Sequence, residues 1–287
     1  MSDPTPTIRV PVDVTNPGQF FACCGLLEMA DRLWPGAEGW FDRDRLYFNI
    51  SCKGDFSSLI DAIQRISVSS SVGAAGLKRL GTLMSVATKS LAKMDLQEKV
   101  DLRAKWHVET LRFTGPIEIT VDWWWNASRE TTVLKTWAAK QFILGIVEPM
   151  LESVKAAERI ESDEVWTSAP SSVGLPLYFD SSASSQSTAL DAGFSGNDIG
   201  LDRLESFDPL VELMSFIAFQ RFRPVRGDEA DSLGYALWHY PFSPTVAAAA
   251  MAGAVISNRR SQFRFRVLKR TTYMKALLPA NPIGDTI

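Results

Sequence analysis

Strict alternation of apolar and polar side chains, at two places, does most to limit what this chain can fold into. Ile117-Glu-Ile-Thr-Val-Asp-Trp123 alternates along its whole length, and Gln262 to Leu268 sets Phe263, Phe265 and Val267 against Arg264 and Arg266. Successive side chains of a strand point to opposite faces, so the first is a half-buried strand and the second has one apolar and one cationic face. The helical patterns around them do not fall into a regular βαβ series. The expectation is therefore an α+β fold, a mixed sheet packed with helices, with no doubly wound or barrel pattern.

Other segments fill in this outline. Ile8 to Val14 predicts a short opening strand, and Asn16-Pro17-Gly18 reads as a turn, with Gly taking a left-handed conformation. A helix is predicted from about Gln19 to Leu33, where Phe20, Cys23, Cys24, Leu27, Ala30 and Leu33 recur at helical spacing, and Trp34-Pro35-Gly36 ends it. Trp40 to Ile50 reads as strand structure, and helices are predicted from Phe56 to Ile66 and from Leu77 to Lys93. The longest helical pattern runs from Thr132 to about Ala157, where Pro149 is expected to kink or divide it. Asp180 to Gly200 is Ser-, Ala- and Gly-rich and reads as a long irregular loop. Leu210 to Phe222 looks helical, Ala236 to Phe242 extended, and Val246 to Ile256 a small-residue helix. No internal repeat or linker stands out, so residues 1–287 are taken as one domain; 1–160 and 161–287 are the lobes into which it would divide.

Composition sets the class of protein. At 287 residues, 46% hydrophobic and 22% charged, the chain can bury a real core. The N-terminus has neither the basic nor the apolar region of a secretory signal, and no apolar run is long enough to span a bilayer. Three cysteines make neither a disulfide framework nor a zinc knuckle, which fits a reduced cytoplasm and no membrane contact. The net charge of −3 is unlike a freestanding DNA-binding protein, but its distribution is uneven. Glu158 to Glu212 holds eleven acids and two bases, whereas Val255 to Leu278 holds seven bases and no acid. Such asymmetry predicts a polyanion-facing surface on one side and an acidic, solvated or partner-facing one on the other, unless the two segments neutralise each other in the fold.

Motifs for catalysis are missing. His107 and His239 lack a second His or Cys at metal-ligand spacing, and no phosphate-cradling glycine loop or nucleophile elbow is present. Cys23 and Cys24 lie in an apolar helical pattern, where cysteine behaves as a small hydrophobe. The expectation is a protein that is not an enzyme and uses no metal or cofactor. Signals for binding are stronger. Arg221-Phe-Arg223-Pro-Val-Arg226 and the run of Arg259, Arg260, Arg264, Arg266, Lys269 and Arg270 interleave bases with aromatics, as phosphate-gripping and base-stacking surfaces do. Alternation would set Arg264 and Arg266 side by side, close enough to repel unless an anion or an acid compensates. Trp123-Trp124-Trp125 closes a predicted strand, and alternation would leave at least one indole to meet a partner or another layer.

The segment Val12-Asp-Val-Thr-Asn-Pro-Gly-Gln-Phe-Phe-Ala-Cys-Cys-Gly-Leu-Leu-Glu-Met-Ala-Asp-Arg-Leu-Trp34, with Asn16, Pro17, Gly18 and Gln19 near its start, resembles the N-terminus of Csb/Csx-type CRISPR-associated proteins of subtype I-U (I-G) systems. Leu177-Tyr-Phe-Asp-Ser-Ser-Ala-Ser-Ser-Gln-Ser-Thr-Ala-Leu-Asp-Ala-Gly-Phe-Ser195 looks like the same family. Those proteins are large-subunit-like members of the DNA-targeting effector complex, Cascade. The resemblance implies a cytoplasmic subunit in antiviral defence whose partners are other effector subunits, crRNA, target DNA and the nuclease-helicase of the system. Guide pairing would read sequence there, while the subunit contacts the flanking motif and strand backbones. At 287 residues the chain is small for a large subunit, which implies that a lobe is missing or supplied by another chain. Two readings stay open: a subunit that binds DNA and RNA through its basic residues, and a scaffold that joins complex members without touching DNA.

Overall fold

The computed structural model describes residues 5–72, 109–125, 131–137, 142–166, 176–182, 207–229, 231–254, 261–269 and 275–283. In its first half, β1 (Ile8–Pro11), α1 (Pro17–Leu33), β2 (Glu38–Phe41), β3 (Tyr47–Ser51), α2 (Phe56–Gln64), β4 (Ser67–Ser70), β5 (Leu111–Thr114), β6 (Ile119–Val121) and α3 (Leu144–Ala156) follow in order. The second half holds α4 (Pro209–Ala218), β7 (Val225–Arg226), β8 (Ser232–Ala236), α5 (Pro244–Met251), β9 (Gln262–Lys269), β10 (Lys275–Leu277) and β11 (Asn281–Pro282). This is the expected α+β class. The described strands form three sheets, β1-β3-β2, β4-β5-β6 and β10-β9-β8-β7, with β11 also on β9. Every pairing among the described strands is antiparallel. The predicted helix from Leu77 to Lys93 lies outside the described residues.

Helix α1 is the centre of the molecule. Nearly every residue from Pro17 to Ala30 is buried, so no face of it is left to solvent over that length, as befits a core helix. Asn16-Pro17-Gly18 opens this helix and does not form the expected turn. The Asn16 side chain accepts the Gly18 N–H at 3.0 Å, and Pro17 stands where a missing N–H leaves nothing unsatisfied. At the other end Trp34 caps the helix and Gly36, at φ +95°, turns the chain away. Helix α4 is buried along its whole length and packs against α1. Gly25 permits that approach, because a Cβ there would sit 2.2 Å from the Met214 carbonyl oxygen. The central pair thus draws one helix from each half of the chain, and a single hydrophobic cluster extends from Ile8 to Ala280.

Aromatic rings fill the space between this pair and the sheets. Phe20 stacks on Tyr235 of β8 at 4.0 Å and on Phe41 of β2 at 5.2 Å. Trp123 and Trp124 are both core residues, packed on Trp137 and Phe216, and Trp123 donates its indole N–H to the Phe216 carbonyl at 2.8 Å. The strand ends at Val121, so alternation no longer applies to the indoles; Trp125 is half-buried against the same core. The long helix expected from Thr132 begins only at Leu144, since Thr131 bridges back to Trp125 and residues 132–137 turn irregularly. Pro149 lies inside α3, which continues past it to Ala156. Among the described residues no helix is long and apolar enough to cross a membrane.

Candidate nucleic-acid interface

Strand β9 has the two faces that its sequence implies. Phe263, Phe265 and Val267 are buried against the core, while Arg264 and Arg266 are exposed. The register sets Val225 of β7, Gly234 of β8, Arg264 of β9 and Asn281 of β11 in one row across the outer face. Gly234 contributes no side chain to that row. A groove results, lined by Val225, Arg226 and Arg264 on the sheet and by Met251 to Gly253 at the end of α5. Arg226 is exposed on β7, and Arg223 is exposed just before that strand.

The arginines of this face do not repel one another unopposed. Arg266 pairs with Glu229 at 2.8 Å and Arg264 reaches Asp228 at 3.4 Å, both acids standing on the turn between β7 and β8. For Arg264 and Arg266 the compensating charge thus comes from a neighbouring turn. The acidic segment Glu158 to Glu212 is not simply a solvated face, because Asp180, Asp208 and Glu212 are buried. Arg221 is placed apart from the others. Its Nε donates to Glu28 of α1 at 2.6 Å and Glu28 also holds Arg32 at 2.7 Å, so this guanidinium is committed to a largely buried carboxylate. Arg259, Arg260 and Arg270 lie outside the described residues, and Lys269 is described only as backbone of β9.

The four motif residues near the N-terminus have a structural task. Asn16 is buried, and besides capping α1 it accepts the Ser181 N–H at 3.1 Å and donates from Nδ2 to Asp180 Oδ1 at 2.7 Å. Gly18 lies so close to this segment that a Cβ would sit 2.6 Å from the Asp180 Cα, and its carbonyl accepts the Ser215 hydroxyl of α4 at 2.7 Å. Gln19 accepts the Asp13 N–H at 2.8 Å, and Pro17 is the first helical residue. From the other side Glu212 of α4 accepts the N–H groups of Phe179 and Asp180, each at 3.1 Å. Burial pushes the Glu212 carboxyl up to about 8; the Asp180 carboxylate adds to the rise, and the backbone donors oppose it. The described start of the expected loop, residues 180–182, is therefore anchored, while 183–200 lies outside the described residues.

Other candidates for chemistry are occupied structurally. His239 is half-buried between the Phe41 carbonyl at 3.0 Å and the Ser261 hydroxyl at 3.2 Å. Cys23 and Cys24 are wholly buried, and burial pushes both thiols well up from their usual range, away from the reactive thiolate. Among the described residues no three His, Cys, Asp or Glu side chains are grouped to hold a metal ion. His107 lies outside the described residues. Sequence reasoning missed Asp228, Glu229 and Glu212, whose partners are distant in sequence or sit across a turn; only the prospect of two adjacent cations on β9 hinted that an acid must be near. No protein-family model, curated protein or solved structure matches this chain.

Proposed function

We propose that the chain is a non-catalytic, nucleic-acid-binding subunit of a type I CRISPR effector complex. It acts in the cytoplasm beside other effector subunits, crRNA, target DNA and the nuclease-helicase. The observation that carries the binding role is the outer face of β9, where Arg264 and Arg266 are both exposed; Arg264 and, from β7, Arg226 line a groove between the sheet and the end of α5, and Arg223 is exposed just before β7. Their acidic partners Asp228 and Glu229 are themselves mostly exposed, and exposed ion pairs hold at most about 1 kcal/mol each. A polyanion offering several phosphates at once competes well against such pairs. The family assignment rests on the resemblance of two segments, and it gains support from their meeting in space. Asn16 and Gly18 from the first touch Asp180 and Ser181 from the second, across more than 160 residues of chain.

A second reading, a scaffold that touches no DNA, is favoured by the commitment of Arg221 to Glu28 and by the same Asp228 and Glu229 pairs. Fluorescence anisotropy of the purified chain with duplex DNA and with single-stranded RNA, across a range of salt, separates the two. Phosphate contacts predict binding that falls steeply with salt. The absence of binding even at low salt would remove the nucleic-acid role and leave the scaffold.

A further inference from the structure

Lys135 is a buried lysine that forms no ion pair among the described residues. Only 7% of its surface is exposed. Its ammonium lies 5.2 Å from the centre of the Trp137 ring and 5.8 Å from that of Trp125. Among the described residues its hydrogen bond is a long one, 3.4 Å to the Trp137 carbonyl, and it forms no ion pair. An ammonium has three N–H donors, so most of its bonding capacity is unspent. The one acid that acts on it, Glu109, is already engaged: it accepts the Ser70 hydroxyl at 3.0 Å and the N–H groups of Ile143 and Leu144 where α3 begins. Lys275 brings a second positive charge to the same place, and its N–H bonds to the Thr136 carbonyl at 3.2 Å.

Two hydroxyls of the same segment also lack partners among the described residues. Thr132 Oγ1 and Thr136 Oγ1 are buried with no hydrogen-bond partner among the described residues, and in sequence they stand on either side of Lys135. Buried polar groups are nearly always satisfied, and a buried charge with no partner is strongly disfavoured. Burial already lowers Lys135 to about 8, with Lys275 pushing the same way and Glu109 opposing. Two cations that act on each other and two hydroxyls of the same short segment without partners among the described residues supply the charge and donors that a multiply charged oxyanion takes, since its oxygens accept from several directions at once.

We propose that Lys135, Thr132, Thr136 and Lys275 form a binding site for a phosphate group, presented either as the free ion or as the terminal phosphate of a nucleotide. The indole faces of Trp125 and Trp137 border the site and suit the second source, because they offer an aromatic surface beside the anion. This site stands apart from the arginine face of β9 and does not rest on the CRISPR reading.

Calorimetric titration of the full chain tests it, with inorganic phosphate, adenosine monophosphate and adenosine as separate probes at matched ionic strength. The proposal expects saturable one-to-one binding of phosphate or of adenosine monophosphate, with adenosine silent. Equal affinity for the two anions identifies the free ion as sufficient, and preference for the nucleotide identifies the terminal phosphate. Lys135→Met should weaken binding about tenfold or more, since it removes the buried cation of the site. Thr136→Val keeps the shape of the side chain and should also weaken binding, which preserves the test if the methionine variant does not fold. Absence of saturable binding by both anions, or affinity unchanged in Thr136→Val, would overturn the site.

Discussion

Replacing Asn16 with Ala removes three hydrogen bonds from one buried side chain, and the cost follows from what each one does. The bond from the Gly18 N–H caps α1, and losing a cap of this kind costs about 1 kcal/mol. The bond from the Ser181 N–H joins two distant segments in the interior, and a buried donor that loses its acceptor costs about 1–3 kcal/mol. The bond to Asp180 at 2.7 Å involves a carboxylate, worth about 1.5–3 kcal/mol. These contributions share one side chain and do not add fully, so Asn16→Ala should destabilise the fold by about 3–5 kcal/mol. Urea unfolding reads this as a lower midpoint at unchanged slope. Asn16→Asp sharpens the argument. It keeps the acceptor oxygen but sets a second carboxylate against Asp180, so it should be nearly as harmful at neutral pH and recover as acid protonates one of the two. A loss below about 1 kcal/mol for Asn16→Ala would refute the view that this junction holds the two segments together.

Three further outcomes follow from the same geometry. Glu212 has a folded-state value of about 8 against an ordinary 4.5, so between these the folded protein keeps a proton that the unfolded chain has released. Stability contributed by this group is therefore full below about pH 4.5 and declines as pH rises towards 8; Glu212→Gln should flatten that slope in urea midpoints taken across the range. Gly25→Ala forces a Cβ within 2.2 Å of the Met214 carbonyl, and thermal unfolding should show a loss of about 3 kcal/mol or more as α1 and α4 are pushed apart. Asp228→Asn combined with Glu229→Gln removes the acids that compete for Arg264 and Arg266, so anisotropy at low salt should show tighter binding to DNA than the parent chain.

Periodicity made the outline of the fold legible wherever one face of an element is buried and the other wet. The two faces of β9, the alternation through β6 and the amphipathic α2 all follow from it. Where every face is buried, the pattern blurs: α1 could be read as a helix, but its central place and its pairing with α4 depend on Gly25 and on contacts across the chain. Asn16-Pro17-Gly18 carries turn residues that also begin helices, and only the nearness of Asp180 and Ser181 decides between the two. The run from Thr132 mimicked a helix because Val133, Leu134 and Trp137 are apolar at helical spacing, yet tertiary burial and the Trp125–Thr131 bridge hold them in an irregular turn. The arginines of the candidate interface were visible in the sequence, but not their counter-ions, since charge pairing is set by how β7 and β8 fold back beside β9.

The claim that the outer face of β7-β8-β9 grips phosphates is tested most directly by the salt dependence of nucleic-acid binding in Arg264→Gln combined with Arg266→Gln. Both side chains point away from the core that Phe263, Phe265 and Val267 bury, so the double variant should fold and melt close to the parent. Each lost phosphate contact lowers the slope of log affinity against log salt by about 0.9 on duplex DNA, so the pair should lower it by about 1.8 and weaken binding alike across sequences. A folded double variant with the parent's affinity and slope would contradict the account and leave these arginines as the solvated side of a sheet.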